Sequence, residues 1–293
     1  MRYLRPAALT AASLVLLLAT DGTGGASAEA TASGGGAHRI RRTVLPDRAA
    51  ARLDELPQEV FTGAGFDVCT APSLETLRAW RTASPYGALG IYSSGGQRGC
   101  DQPRLTADWV RMARGMGWRL IPTHVGLQAP CSTLKGKPKR IDPARAVQQG
   151  RDEAAEAVRG LESLGFGKGS PAYLDIESYP TGDRGCGQAV IDFTLGWTQA
   201  LHDAGYRSGY YSSVGSGIAD LAAAERVGSF PLPDAVWYAR WDDRAVTDGQ
   251  GALDPGQWDA HQRIHQYRGN VTETYGGATL TIDRDRLDSP VGV

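Results

Sequence analysis

Ala172-Tyr173-Leu174-Asp175-Ile176-Glu177 is a short apolar run that ends in two carboxylates. A long helical pattern over 143–164 precedes it, and another over 189–204 follows it. The same order repeats outward in both directions. Strand candidates lie at 65–69, 88–92, 119–124, 207–211, 235–241, 263–267 and 278–283, with further helical patterns at 73–82, 106–116 and 216–224. Strands that alternate with helices imply right-handed crossovers and a buried parallel sheet. Eight strands over about 230 residues predict an α/β fold, a (β/α)8 TIM-type barrel. Weak helical patterns beyond the sixth strand predict irregularity near the C-terminal end. An open doubly wound sheet is the alternative, but no Gly-x-Gly-x-x-Gly follows the first strand. Gly117, Gly165 and Gly205 mark helix ends, where a left-handed cap suits glycine.

In a parallel barrel the reactive groups project from the C-terminal strand ends. Asp67 ends the first strand, Asp175 and Glu177 the fourth, and Asp283 the eighth. Residues two apart on a strand share a face, so Asp175 and Glu177 should present Cβ atoms roughly 6.5–7 Å apart. Two carboxylates on a buried face are costly unless they are paired or used. Such a pair can divide labour, one kept protonated and the other ionised, and glycoside hydrolysis needs that division. The structural alternative is neutralisation by inward arginines, or a metal.

Aromatic residues cluster at the same strand ends. Tyr92 lies on the second strand, Tyr210 and Tyr211 on the fifth, and Trp237, Tyr238 and Trp241 on the sixth. Such rings stack on sugars, and tyrosine adds a hydroxyl donor. His124 and the run His265-Gln266-Tyr267 bring polar groups to the third and seventh strands. Tyr92, His124, Tyr211, Trp237, Trp241 and Gln266, with Asp67 and Asp283, are therefore the candidate substrate-binding residues. No His-Glu-x-x-His or similar spacing occurs, so neither a metal nor any other cofactor is expected.

The chain has 293 residues, with 31 Lys+Arg against 32 Asp+Glu and a formal net charge of −1. That balance argues against a nucleic-acid partner. The basic cluster noted after the start, His38 to Arg42, is short. Arg2 and Arg5, the apolar run Ala7–Ala19 and Ala26-Ser27-Ala28 form the pattern of a cleaved signal peptide over residues 1–28. A flexible lead-in over 29–58, which begins with Ala, Gly, Ser and Thr, and a barrel domain over 59–293 follow. Thirteen apolar residues are short for a bilayer span, so no stable membrane insertion is expected after cleavage. The protein should be secreted or associated with the cell wall. Cys69, Cys100, Cys131 and Cys186 have no Cys-x-x-Cys spacing, and an even number in an exported chain favours two disulfides, for which three pairings are open.

Taken together, several stretches resemble a secreted bacterial glycoside-hydrolase-like domain family, DUF 1906, and more distantly the family 25 glycoside hydrolases, the peptidoglycan-cleaving lysozymes. They are Gly65–Pro72, Gly90-Ile91-Tyr92, Val125–Cys131, Tyr173–Glu177, Gly209–Ser213, Trp237–Asp242, His265-Gln266-Tyr267 and Ile282-Asp283. The resemblance implies a barrel with a cleft at its C-terminal face. It implies Glu177 as general acid, Asp175 as an electrostatic stabiliser or as the group that orients a substrate acetamide, and Asp67 and Asp283 completing the acidic cluster. In the barrel so implied, neighbouring loops would pair Cys69 with Cys100 and Cys131 with Cys186. The expected function is hydrolysis of a cell-wall polysaccharide such as peptidoglycan by a monomer. The alternative is an inactive barrel that binds cell-wall glycan or another envelope component. A metal-dependent deacetylase has no supporting motif.

Overall fold

The computed structural model describes residues 53–228, 231–249 and 251–293. The signal-peptide segment and residues 29–52 of the lead-in, with the basic cluster at 38–42, lie outside the described residues. Residues 53–58 of the lead-in are described and docked. Leu53 is buried, and its carbonyl accepts a hydrogen bond from Arg207 Nη2 at 2.9 Å.

Eight strands close into one barrel in chain order: β1 Glu59–Asp67, β2 Ala88–Ser94, β3 Arg119–His124, β4 Pro171–Asp175, β5 Arg207–Ser213, β6 Ala235–Ala239, β7 Arg263–Tyr275 and β8 Ala278–Val291. The helices are α1 Leu74–Ala83, α2 Ala107–Gly115, α3 Ala146–Ser163, α4 Arg184–Asp203 and α5 Gly217–Arg226. Their starts are written in the sequence. Ser73 and Thr106 cap α1 and α2 by accepting from the backbone N–H groups of Thr76 and Trp109, and Asp183 caps α4 through Gly185 and Cys186. The helix-end glycines Gly117, Gly165 and Gly205 all have positive φ.

Period-two alternation along the strands separates two cores. Ala88, Ile121, Tyr173, Ala235, Trp237, Ile264, Leu287 and Val291 fill the barrel interior. The outward set, including Phe66, Leu120, Leu174, Tyr210 and Tyr238, packs under the helices with Trp80, Trp118, Phe193 and Trp197. The barrel is therefore a packed cylinder whose upper interior positions are free to be polar.

One part of the expected topology is corrected. β1 to β7 run parallel, but β8 is antiparallel to both β7 and β1. The reason lies in Tyr275-Gly276-Gly277-Ala278. Gly276 and Gly277 both have positive φ and form a two-residue hairpin turn. A parallel connection needs a dozen or more residues. No helix lies between β6 and β7 among the described residues, which is the irregularity expected there.

Candidate active site

Although β8 runs backwards, its register still places Asp283 at the mouth. Asp283 is the Cα partner of Asp67 at the last position of β1. Asp175 ends β4 and Glu177 lies two residues beyond it, and the ammonium of Lys137 binds both: Asp175 Oδ2 at 3.0 Å and Glu177 Oε1 at 2.5 Å. Asp175 is buried, whereas the Glu177 side chain is one-third exposed. The cation that neutralises the pair is thus a lysine from the β3–α3 loop, not a strand arginine.

A hydrogen-bonded chain crosses the opposite wall. Tyr211 Oη and Trp241 Nε1 both donate to Gln266 Oε1, at 3.1 and 3.0 Å. With its oxygen so engaged, the Gln266 amide turns Nε2 towards Asp67 Oδ2, 2.8 Å away. Asp283 Oδ1 accepts the backbone N–H of Asn270 at 2.6 Å. Glu177, Ser178, Tyr211, Ser213, Trp241 and Gln266 help to line a cavity of about 330 Å³ beside the acids. Half-buried Tyr92 completes the ring, its phenol facing Asp67, Asp175, Glu177 and Asp283.

Burial and mutual repulsion tune these groups. Burial pushes Asp175 up to about 7; Lys137 opposes that rise and Glu177 adds to it. Asp67 is pushed well up by burial and then by Asp283, and burial likewise raises Asp283. Burial and the nearby carboxylates carry the Tyr92 and Tyr211 phenols well above their usual range. Burial alone would push Lys137 down, but Asp175 and Glu177 outweigh it and raise it.

A pH dependence of stability follows from these directions. A carboxyl raised on folding contributes fully below its unfolded pKa, and that contribution is lost as pH rises through the folded value. For Asp175 the window runs from about 4, its ordinary value, to about 7. Asp67 and Asp283 act in the same direction, while the surface residues Asp243 and Asp288 are lowered and act oppositely. The unfolding midpoint is expected to be a few degrees higher at pH 5 than at pH 8. Calorimetric scans at the two pH values check it; an equal or higher midpoint at pH 8 contradicts it.

Two predicted ligand contacts are corrected. His124 faces outward, buried between the barrel and the helices. Its Nδ1 pairs with Ser94 Oγ at 2.8 Å, its Nε2 pairs with Glu153 Oε2 at 2.5 Å, and Trp197 lies over the ring. Thr123, not His124, is the β3 residue in phase with the interior, so the reading was off by one position. Trp237 does face inward but lies under the cleft, 2% exposed. Its Nε1 donates to Asp285 Oδ1 at 2.9 Å and its ring packs edge-on against Tyr173 and Tyr211. Tyr238 and Tyr210 are outward core residues.

Three site residues were overlooked. Lys137 had a signal in composition: only four lysines occur, and Lys135, Lys137 and Lys139 fall within five residues. Asp285 had a signal in spacing, since it lies two residues after Asp283 on the same strand. It is fully buried, and burial together with Asp67 raises it well above the carboxylate range. Gln128 carried no separate signal. Its buried amide accepts from the Glu177 backbone N–H and donates to the Asp175 carbonyl, both at 2.9 Å, so it fixes the strand end that carries the pair.

Both expected disulfides form, Cys69–Cys100 and Cys131–Cys186, with Cα separations of 5.7 and 5.8 Å. They tie the β1 loop to the β2 loop and the β3 loop to the start of α4. No group of three or more metal-ligating side chains occurs among the described residues.

Residues 78–287 match the model of the Rv2525c-like, glycoside hydrolase-like domain family. The chain belongs to that family. As an Rv2525c-like domain it superposes on the Tat-secreted protein Rv2525c of Mycobacterium tuberculosis in complex with L-tartrate. The two are 12% identical, over 78% of this chain and 96% of that one, with a TM-score of 0.53. The HEPES complex of the same protein gives 13% identity, 77% and 95% coverage and a TM-score of 0.51. A muramidase from Acremonium alcalophilum is 16% identical over 76% of this chain and 92% of its own, with a TM-score of 0.45. At these identities the two Rv2525c superpositions speak to the fold alone. No curated protein matches the chain in sequence.

Proposed function

We propose that this Rv2525c-like domain is a secreted glycoside hydrolase that cuts a cell-wall polysaccharide, peptidoglycan first among the candidates. The observation that carries the reading is the assembly at one barrel mouth of a carboxyl pair bridged by a lysine, two facing aspartates and three aromatic groups. Glu177, the exposed member of the pair, donates a proton to the leaving oxygen. Asp175, beneath it, stabilises positive charge at the anomeric carbon or orients a neighbouring acetamide. Asp67 and Asp283 face them, and Tyr92, Tyr211 and Trp241 offer rings and hydroxyls to the sugars. The two disulfides suit an exported chain, and no helix among the described residues is long and apolar enough to cross a membrane. The chain is taken to act as a monomer, without nucleic acid or a cofactor.

A second reading has a specific observation in its favour. Lys137 Nζ occupies Oε1 of the proposed acid, Glu177, in an ion pair, as suits a barrel that binds glycan without cutting it. Reducing-end release from purified cell walls and a panel of polysaccharides separates the two. Release from walls supports the hydrolase. Measurable glycan binding with no release from any substrate overturns it in favour of the binding barrel.

A further inference from the structure

The loop that delivers Lys137 is built for the purpose. Four carbonyls wrap the guanidinium of Arg140: those of Ser132, Leu134, Lys137 and Lys139. The Gln97 side-chain amide donates to the Lys139 carbonyl at 3.1 Å and accepts from its N–H at 2.6 Å. Gln128 N–H donates to the Lys139 carbonyl and Gln128 O accepts from Ile141 N–H, closing the loop base, and Cys131–Cys186 anchors its start. These fastenings hold the loop's backbone, while the Lys137 side chain itself is held by Asp175 and Glu177. Lys135 and Lys139 stand exposed on the same loop, with no carboxylate within ion-pair distance among the described residues. Below them Asp175 Oδ1 is buried with no hydrogen-bond partner.

We propose that Lys137 is a specificity-determining residue: an anionic substituent on the glycan draws its ammonium off the Asp175–Glu177 pair, and the pair takes up a proton in exchange. The inference rests on the hydrolase reading for its use, but not for its test. Charge balances, since the ligand's negative charge pairs with Lys137 and the proton neutralises one carboxylate of the pair. The groups that face the exchange are Asp67 on β1, Tyr92 on β2, Asp175 on β4, Tyr211 on β5, Asp283 on β8 and Arg240 just after β6, whose guanidinium pairs with Asp242. Apart from Arg240, already held by that aspartate, none of them brings positive charge, so a carboxyl pair bared by the departing ammonium binds a proton readily. Lys135 and Lys139 make the loop's outer surface attractive to the same class of ligand. The substrate so selected carries a carboxylate, such as a lactyl ether, or a phosphodiester beside the scissile sugar. Neutral chitin-like chains would leave Lys137 in place.

Calorimetry at pH 7 in two buffers of different ionisation heat tests this with three disaccharides. One bears a lactyl carboxylate, one is its carboxyl-reduced counterpart, and one carries a phosphate in place of the carboxylate. Wild type should bind one of the anionic ligands about tenfold more tightly than the neutral one, taking up one proton, as a single charge-assisted pair allows. Whichever anion holds the preference identifies the substituent. Lys137→Met should bind all three alike with no proton uptake, because its carboxyl pair already holds the proton. Lys137→Arg should restore both signs. Equal preference in Lys137→Met, anion binding without proton uptake by the wild type, or no binding of any of the three overturns the inference. Preference with uptake but no release from walls would sustain it and sink the hydrolase. Release that is indifferent to Lys137 and to the anion would do the reverse.

Discussion

Glu177→Gln is expected to cut reducing-end release from cell walls about a thousandfold, within the range that a positioned general acid supplies. The amide keeps the shape of the side chain but cannot give up a proton to a leaving oxygen. Stability should hardly change. The Glu177 side chain is one-third exposed and its one side-chain partner is Lys137, which keeps Asp175. Ion pairs this close to solvent are worth about 1 kcal/mol or less, so the unfolding midpoint should stay within roughly 3 °C of wild type. Gln128 still holds the strand end through the residue 177 backbone. The paired measurement is therefore release and melting on one preparation. Turnover at the wild-type rate would remove Glu177 from the acid role, and loss of turnover with a collapsed melting curve would make its part structural.

The largest effect on stability should come from a residue far from any sugar. Gly150 in α3 lies against the backbone of α4. A Cβ built on it would stand 2.0 Å from the Phe193 carbonyl oxygen and 2.8 Å from the Trp197 nitrogen. Gly196 in α4 returns the contact, 2.0 Å from the Val147 oxygen. Because the clashing atoms are main chain, no rotamer change relieves them and the helices must separate. Separation would also disturb Trp197, which covers His124, and the bond from His124 to Glu153. Gly150→Ala should cost about 2 kcal/mol. Gly150→Val, with two more carbons to place, should cost about 4 kcal/mol or more, beyond the usual range for overpacking. In a domain of this size that lowers the midpoint by roughly 10 °C. A Gly150→Val protein that melts like wild type would mean the helices are not in contact there.

These residues differ in how far the sequence declares them. Asp67, Asp175 and Glu177 are legible because each falls at or just past the end of an apolar strand, whereas Asp283 reaches the mouth from within β8 through its pairing with Asp67. The two disulfides follow from neighbouring loops once the barrel is accepted. The direction of β8 was readable in Gly276-Gly277, but strand candidates cut short at 267 and 283 left room for a crossover that does not exist. His124 was misplaced because β3 alternates Leu120 out and Ile121 in, and counting one residue off exchanges the faces. Lys137 lies in a loop with no periodicity, delivered by carbonyls around Arg140 that no pattern of side-chain types announces. Gly150 is harder still, since a lone glycine in a helical pattern looks like a flaw until its neighbour is known.

The hairpin that reverses β8 has a practical consequence at the other end of the cylinder. Glu59 and Val291 are Cα partners, and the Val293 carbonyl accepts from Gly167 and Ser170 beneath β4. Where the first strand enters and the last one leaves, the two sit side by side at the pole away from the acids. An attachment made at Val293 would hold the barrel by its base, with the mouth facing outward.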